Sequence, residues 1–350
     1  MGLFDDVLSS DQNLIKNEEF LDYEFLPKLI PYRENEQKYL ATSIKPLFNN
    51  RSGRNLLIYG APGIGKSAAV RSVLRDLEEE TDDVFSIYIN CWEHNTSFKI
   101  FIRICDILGY RFTQNKKSSD LQKEVLKLLD TKPVVFVFDE IDKAEDWDFL
   151  YFLLEKIFHK SIFLITNYKS WLLTLDERIR SRLMPELVEF KQYNLNETKG
   201  ILKERCDQGF VQDVWMNDAF ETVVKKTGEI KDIRAGLFLL KESGLIAEEK
   251  SKKKIVKEDV DLAIKKLNEF SIKSEEELSE EEKFVLNLIK DKSGSKIGDL
   301  FREYESLGGK ISYKTFQRKI LKLEEGKYVK LTKQKGSGGN TTIVEKVNLG

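Results

Sequence analysis

Gly60-Ala-Pro-Gly-Ile-Gly-Lys-Ser67 is the stretch that decides the fold of this chain. It follows a short apolar run, Asn55-Leu-Leu-Ile-Tyr-Gly60, that reads as a buried strand. It leads into the helix-periodic segment Ser67–Glu80. Strand, glycine loop and helix in that order fit the pattern G-x-x-x-x-G-K-[ST], a phosphate-binding loop. Gly60, Gly63 and Gly65 let the backbone curl around phosphates with no Cβ in the way. The cradle runs from Gly60 through Ala61, Pro62, Gly63, Ile64 and Gly65 to Ala68. The helix starting near Gly65 adds a positive dipole end. Lys66 reaches the terminal phosphates, and Ser67 offers a hydroxyl to Mg²⁺.

Three similar apolar runs follow at Val84–Asn90, Pro133–Phe138 and Ser161–Thr166, with a weaker one at Leu187–Phe190. Helix-like segments, among them Phe98–Leu108 and Leu121–Leu129, lie between them. That alternation predicts an α/β fold with a parallel sheet and right-handed crossovers. Val134-Val-Phe-Val-Phe-Asp-Glu-Ile-Asp142 puts Asp139 at a strand tip, where open parallel sheets bind ligands. Asp139 is expected to hold Mg²⁺ through water, and Glu140 to polarise an attacking water.

After Phe190 the pattern turns helical, at Asn196–Arg205, Asn217–Thr227, Ile233–Glu242 and Lys257–Phe270. Asn196 and Asn217 read as N-caps, and Gly228 and Gly244 as helix stops. A charged segment, Ser271–Glu282, reads as a linker running into the capping-box pattern Ser279-Glu-Glu-Glu. Beyond it come three short helices and two strands, Tyr328–Thr332 and Thr341–Val347, around Gly336-Ser-Gly-Gly-Asn340. Three helices and a glycine-tipped hairpin make a winged helix-turn-helix.

Composition narrows the function. At 350 residues two or three domains are expected. The chain is 41 % hydrophobic and 33 % charged, enough for cores and too charged for a membrane protein. No run approaches ~18 apolar residues, and Met1–Asp11 lacks the basic end and apolar stretch of a secretory signal. Cys91, Cys105 and Cys206 are scattered, as in a reduced cytosolic protein. With only His94 and His159, and no Cys-x-x-Cys, a classical zinc site is not expected. Nor is a Ser-His-Asp hydrolase, unless one of the two histidines is its base. Net charge is 57 − 59 = −2, but Lys310–Lys335 holds nine basic residues against Glu324 and Glu325, or 9 − 2 = +7. That end points to a polyanionic partner. Trp92, His94, Trp147, Trp171 and Trp215 read as packing or surface residues.

The glycine loop and the Asp-Glu strand together resemble an AAA+ ATPase. Phe163-Leu-Ile-Thr-Asn167 resembles the strand ending in the sensor-1 residue, so Asn167 would orient the attacking water. Leu175-Asp-Glu-Arg-Ile-Arg-Ser-Arg-Leu183 resembles the box that carries the arginine finger. By that match Arg182 acts on ATP held by a neighbouring subunit, with Arg178 and Arg180 close enough to compete for the role. Lys231-Asp-Ile-Arg-Ala-Gly-Leu-Phe-Leu-Leu240 resembles the sensor-2 helix, which implies that Arg234 meets the γ-phosphate.

Over nearly all its length the chain resembles the archaeal origin-recognition/cell-division-control initiator family. Leu29-Ile-Pro-Tyr-Arg-Glu34 resembles the segment before the first core helix. Val188-Glu-Phe-Lys-Gln-Tyr193 resembles the one leading into the lid, which places Tyr193 by the nucleotide and makes Arg205 the basic lid residue. Glu229–Glu248 matches the lid run, Ser312–Leu323 the recognition helix and Gln334–Thr342 the wing. The implied domains are an AAA+ RecA-like ATPase core at 1–194, a helical lid at 195–272 and a winged-helix DNA-binding domain at 273–350. Three features depart from the family: Ser67 stands for threonine, Phe-Lys-Gln precedes Tyr193, and the region Cys91–Asp120 has Arg111, Lys116 and Lys117 as its only obvious cations towards the end.

On Ser312–Leu323, Phe316, Ile320 and Leu323 form an inward stripe, so Lys314, Gln317, Arg318, Lys319 and Lys322 are expected to project elsewhere. Gln317 and Arg318 suit base edges and the lysines phosphates, with Ser312 opening the helix. In the wing, Lys335, Gly336, Ser337 and Gly338 would approach the DNA backbone. The resemblance implies ATP and Mg²⁺ as cofactors and origin duplex DNA, a replicative helicase and other initiator subunits as partners. It also implies slow hydrolysis used as a switch, in a cytoplasmic, nucleoid-associated protein with no membrane contact. Two rival readings are a loader or transposition-type regulator with little sequence choice, and a signalling NTPase whose winged helix is only structural.

Overall fold

The structure, a computed structural model, describes residues 13–271, 278–326, 328–336 and 339–346. These form two compact units that divide between Leu262 and Ala263.

The first unit opens with helix α1 (Glu34–Ile44) and strand β1 (Leu56–Tyr59), then α2 (Lys66–Glu80), β2 (Phe85–Asn90), α3 (Ser97–Ile107) and α4 (Ser118–Leu129). Next come β3 (Val134–Asp139), α5 (Asp148–Lys156), β4 (Lys160–Thr166), α6 (Glu177–Leu183) and β5 (Glu186–Glu189). The five strands are parallel, in the order β2-β3-β4-β1-β5. Strand β3 shows why the runs read as continuously apolar: all its residues are buried, and alternate ones serve opposite faces of the sheet. Phe136 and Phe138 join Ile87, Ile89 and Leu164 under α3, α4 and α5. Val135 and Val137 join Leu56, Ile58 and Phe163 under α1 and α2. Each such side chain contributes about 1.5–3 kcal/mol by burial.

The strand order has one consequence for chemistry. Because β4 lies between β3 and β1, the C-terminal tips of all three stand side by side. The glycine loop after β1, Asn167 after β4 and Asp139 of β3 therefore converge although they are far apart in the chain.

The all-helical part of the unit comprises α7 (Leu195–Gly209), α8 (Asn217–Ile230), α9 (Ile233–Glu249) and α10 (Lys257–Ser271), whose second half passes into the next unit. The expected caps move. Asn194, not Asn196, caps α7 in a reciprocal box with Glu197, at 2.9 Å each way. Met216, not Asn217, precedes α8 and gives no side-chain cap. Gly228 and Gly244 are not stops; both lie inside helices. A Cβ on Gly244 would sit 2.6 Å from the Phe210 ring and one on Gly228 2.8 Å from Leu195, so close packing accounts for both glycines. An N-terminal strap crosses the unit. The amides of Leu14 and Ile15 donate to the Glu248 carboxylate at 2.6 and 2.9 Å, and Arg75 of α2 donates to the carbonyls of Pro27 and Lys28.

The second unit contains α11 (Glu280–Asp291), β6 (Ser295–Lys296), α12 (Ile297–Ser306), α13 (Tyr313–Glu325), β7 (Val329–Gly336) and β8 (Gly339–Lys346). The strands form an antiparallel sheet in the order β6-β8-β7. The two-residue β6 is too short to leave an alternating pattern in the sequence. Ser279 and Glu282 make the expected capping box on α11. Phe316, Ile320 and Leu323 are fully buried with Val285, Ile289 and Tyr304, as their spacing predicts.

Candidate functional site

The loop at Gly60–Ser67 borders a cleft of about 360 Å³ between the sheet tips, the strap and the helical lid. Its glycines are needed where they stand. Gly63 and Gly65 have φ of +70° and +86°, and a Cβ on Gly63 would fall 1.9 Å from an Asp232 carboxylate oxygen. A Cβ on Gly60, at φ +151°, would lie 2.4 Å from the Phe190 carbonyl oxygen.

Lys66 is 7 % exposed. Its ammonium donates to the carbonyls of Gly60 and Ala61 at 2.9 and 2.8 Å, and to Asn167 Oδ1 at 2.8 Å. The glycine loop and Asn167 are thus joined by one side chain. Burial pushes the lysine down to about 8, with Asp139 opposing the shift. Asp139 is 5 % exposed and accepts from the Tyr88 hydroxyl and from the Glu140 amide, the latter at 2.8 Å. The Tyr88 phenol is driven well above its ordinary range by burial and by Asp139. Glu140 adopts φ 51°, ψ 44°, a left-handed conformation uncommon for this residue and typical of functional turns. Burial, then Asp139 and Asp142, raise its carboxyl. Asp142 is held by the Thr166 hydroxyl at 2.9 Å. Ser67 and Asp139 both line the cleft and supply the oxygen donors a Mg²⁺ ion prefers.

Arg234 and Arg205 of the lid, and Tyr193 just before it, line the same cleft. Arg234 is paired with Asp232, the residue that caps α9, at 2.7 Å, and that bond raises its guanidinium further. Ile233 N–H reaches the Gly63 carbonyl at 3.2 Å, so the start of α9 docks on the loop itself. Arg205 donates to the carbonyls of Phe20 and Phe25, and burial lowers its guanidinium. Arg182 and its neighbours Arg178 and Arg180 are not in this cleft. Arg182 is exposed on α6, with its guanidinium 5.2 Å from the Tyr151 ring centre.

Three contributors were missed by sequence reasoning. Tyr88 and Arg71 line or support the cleft from β2 and α2, with Arg71 5.8 Å over the Tyr88 ring. Arg33, only 4 % exposed, binds the loop from beneath. Its side chain donates to the Ile64 carbonyl at 3.3 and 3.1 Å and to the Lys191 carbonyl at 2.6 Å. No pattern in the sequence marks Tyr88 or Arg71. Arg33 stands in the quoted segment Leu29–Glu34, which carried no role for it.

In the second unit Ser312 caps α13 by accepting from the Thr315 amide. Lys314, Arg318 and Lys322 are exposed and Gln317 and Lys319 half-buried, but Lys319 and Lys322 are both ion-paired. Lys322 donates to Glu282 at 2.8 Å, and Lys319 lies 3.3 Å from Glu281. The acidic first turn of α11 attracts both, because α11 packs along this face of α13. Lys322 holds the Glu282 carboxyl down to about 2. Lys335 and Gly336 belong to β7, with only their backbone described, and Ser337 and Gly338 lie outside the described residues. In the region Cys91–Asp120, Lys116 is engaged with Glu124 at 3.5 Å and Arg111 is exposed. No helix among the described residues is long and apolar enough to cross a membrane.

Residues 30–165 match the AAA ATPase domain family, and residues 199–265 match the Cdc6 AAA+ ATPase-type lid domain. An ORC1-type DNA replication protein 2 of Archaeoglobus fulgidus is 30 % identical over 353 residues, covering 97 % of this chain and 92 % of that protein. One from Methanosarcina mazei is 28 % identical, covering 97 % and 95 %. Among solved structures, the Aeropyrum pernix ORC1 protein in complex with DNA shares the fold at a TM-score of 0.74. It is 23 % identical and covers 96 % of this chain and 94 % of its own. The Aeropyrum pernix ORC2 protein, in ADPNP-ADP complexes, gives 0.73 at 18 % identity, covering 95 % and 94 %. The glycine loop, the Asp-Glu strand tip and the docked lid are thus those of a chain that belongs to the family of ORC1-type DNA replication proteins.

Proposed function

We propose that this protein is an ATP-dependent DNA-binding initiator of replication, which recognises origin duplex DNA and helps to recruit the replicative helicase. One observation carries the nucleotide half of that reading: Lys66 joins the glycine loop to Asn167 at the mouth of a cleft that also holds Asp139, Glu140 and Arg234. In this reading the loop amides and Lys66 bind the phosphates, while Ser67 and Asp139 hold Mg²⁺, which would neutralise charge on the transferring phosphoryl group. Glu140 accepts a proton from the attacking water and Asn167 orients it. Arg234 meets the γ-phosphate, and Tyr193 and Arg205 complete the lid side. Arg182, exposed and outside its own cleft, suits a neighbour's ATP. Slow hydrolysis would let the two nucleotide states differ in affinity for DNA or partners, and that difference is what a switch requires.

The DNA half rests on the second unit, read as a winged helix (273–350) beside a core (1–194) and a lid (195–272). Helix α13 would enter the major groove and the β7–β8 hairpin would approach the backbone. Gln317 and exposed Arg318 would read base edges, and exposed Lys314 would meet a phosphate. The protein would act on chromosomal DNA in the cytoplasm. Two linked experiments test the reading: a genome-wide map of where the ATP-bound protein sits, and footprinting of the strongest loci. A few sharp sites, lost with Arg318→Ala, support a sequence-specific initiator. Broad coverage would favour a loader with little sequence choice, and no coverage a signalling NTPase.

A further inference from the structure

We propose that the dipeptide Tyr32-Arg33 is a mechanical link between the phosphate loop and the lid, positioning both for the nucleotide. The idea rests on the nucleotide reading of the cleft and assigns it two positioning residues. The chain enters α1 through a turn closed by the Arg33 N–H on the Ile30 carbonyl at 3.3 Å, with Pro31 at its second position. Tyr32 is third in that turn and has φ +63°, where glycine is favoured and an aromatic residue is strained. Turn chemistry does not select a tyrosine there, but a contact does. The Tyr32 hydroxyl lies over Gly200 of α7, only 2.1 Å from where a Cβ on that glycine would be. The positive φ sends Tyr32 to the lid, and the next residue goes to the core.

Arg33 spans the other interval. One guanidinium holds the Ile64 carbonyl of the loop and the Lys191 carbonyl of the segment leading into the lid. Its planar face lies 4.0 Å from the centre of the Tyr193 ring, and the Tyr193 hydroxyl rests 2.9 Å from the Cβ position of Gly65. Glu36 takes the remaining charge at 3.1 Å. Nη2 alone donates to both carbonyls, Nε adds a second bond to Ile64 and Nη1 meets Glu36, so the side chain's donors, rather than its length, make the link. A lid that swings about 191–194 therefore pulls on the loop backbone through Arg33 and on the strap through Tyr32.

The test uses the full-length chain with Arg33→Met, which keeps the length and removes every donor, and Tyr32→Gly, chosen because the turn accepts glycine. Hydrogen exchange is followed with and without ADP, and ADP affinity is measured by calorimetry. Without nucleotide, Arg33→Met should expose the amides of Gly63–Lys66 and Lys191–Asn194 together, leaving α8 unchanged. Tyr32→Gly should keep the parent melting temperature and expose the Gly200 turn of α7. Both should weaken ADP by about fivefold or more, the usual scale of coupling between sites. Exchange that rises in one segment alone, or affinities within about twofold of the parent, would overturn the link. If the two segments open together while the parent binds no ADP, the link stands and the nucleotide reading falls.

Discussion

The cleft of the first unit and helix α13 of the second are both rich in charge, but they use it in opposite ways. Lys66 and Asp139 in the cleft, and Arg33 against its loop, are at most 7 % exposed, and each is held by specific polar partners. Their positions are over-determined, so a sequence motif suffices to locate Lys66 and Asp139. On α13 the cations are at or near the surface, and geometry divides them after the fact. Lys314 and Arg318 stay exposed and unclaimed by α11, whereas half-buried Lys319 and exposed Lys322 pair with its acids. Of the nine cations counted over Lys310–Lys335, four lie on α13, and two of those are paired with acids of α11. Buried charge must be matched by specific partners, while surface charge is free to be claimed by whatever packs nearby.

The sharpest way to break this contrast is to remove the matched charge. Glu140→Gln should keep ATP binding and lower turnover by about 10²–10⁴-fold, the usual worth of a positioned general base. Equal turnover by that variant in a phosphate-release assay would sink the assignment of Glu140. Lys66→Ala should weaken ATP by about 10²-fold or more, since several charge-assisted bonds of about 1.5–3 kcal/mol are lost at once. Titration with a fluorescent ATP analogue reads this directly.

On α13 the effects should be smaller and unequal. Arg318→Ala should cost about 1–3 kcal/mol in affinity for the strongest footprinted site and reduce its salt slope or its base preference. Lys322→Ala should change DNA affinity by less than about 1 kcal/mol, because its charge is already shared with Glu282. Equal losses for the two, measured by fluorescence anisotropy across a salt series, would show that the division between them has no bearing on DNA.

The mildest effect is a pH dependence. Lys66 sits at about 8 in the free protein, below an ordinary lysine. Phosphates favour the charged ammonium, so their arrival raises that value and nucleotide binding takes up a proton above about pH 8. Affinity should therefore fall as pH rises through 8 and be flat below it. Calorimetry in buffers of different ionisation enthalpy at pH 7 and pH 8.5 distinguishes this from no linkage, which would give equal apparent heats once corrected for the other groups. The same lysine, lowered from the 10.5 of an unfolded chain, makes stability rise between pH 8 and 10.5, where only the unfolded state binds the extra proton.

How legible each element was depended on the range of the interactions that set it. The loop, the Asp-Glu tip and the inward stripe of α13 are local patterns, and all appear where the spacing put them. Gly228 and Gly244 were misread because a helix stop and a close contact leave the same glycine in the sequence; Leu195, which opens α7, and Phe210, which follows it, are the residues they face. The α7 cap moved by two residues because Asn194 and Asn196 flank the same start, and only Asn194 pairs with Glu197.

The local sequence was enough to determine a strand–loop–helix that cradles phosphate, an acidic strand tip and a helix with one apolar face. Each depends on residues within a turn or two of one another, where spacing and geometry are nearly the same thing. Folding decided the rest: that β4 lies between β1 and β3 and so brings Asn167 to Lys66, that Arg33 serves the loop from 31 residues away, and that α11 occupies two of the lysines on α13. Those contacts join segments with no local code between them. They exist because buried polar groups must find partners and apolar faces must find cover, a requirement that only the packed chain can satisfy.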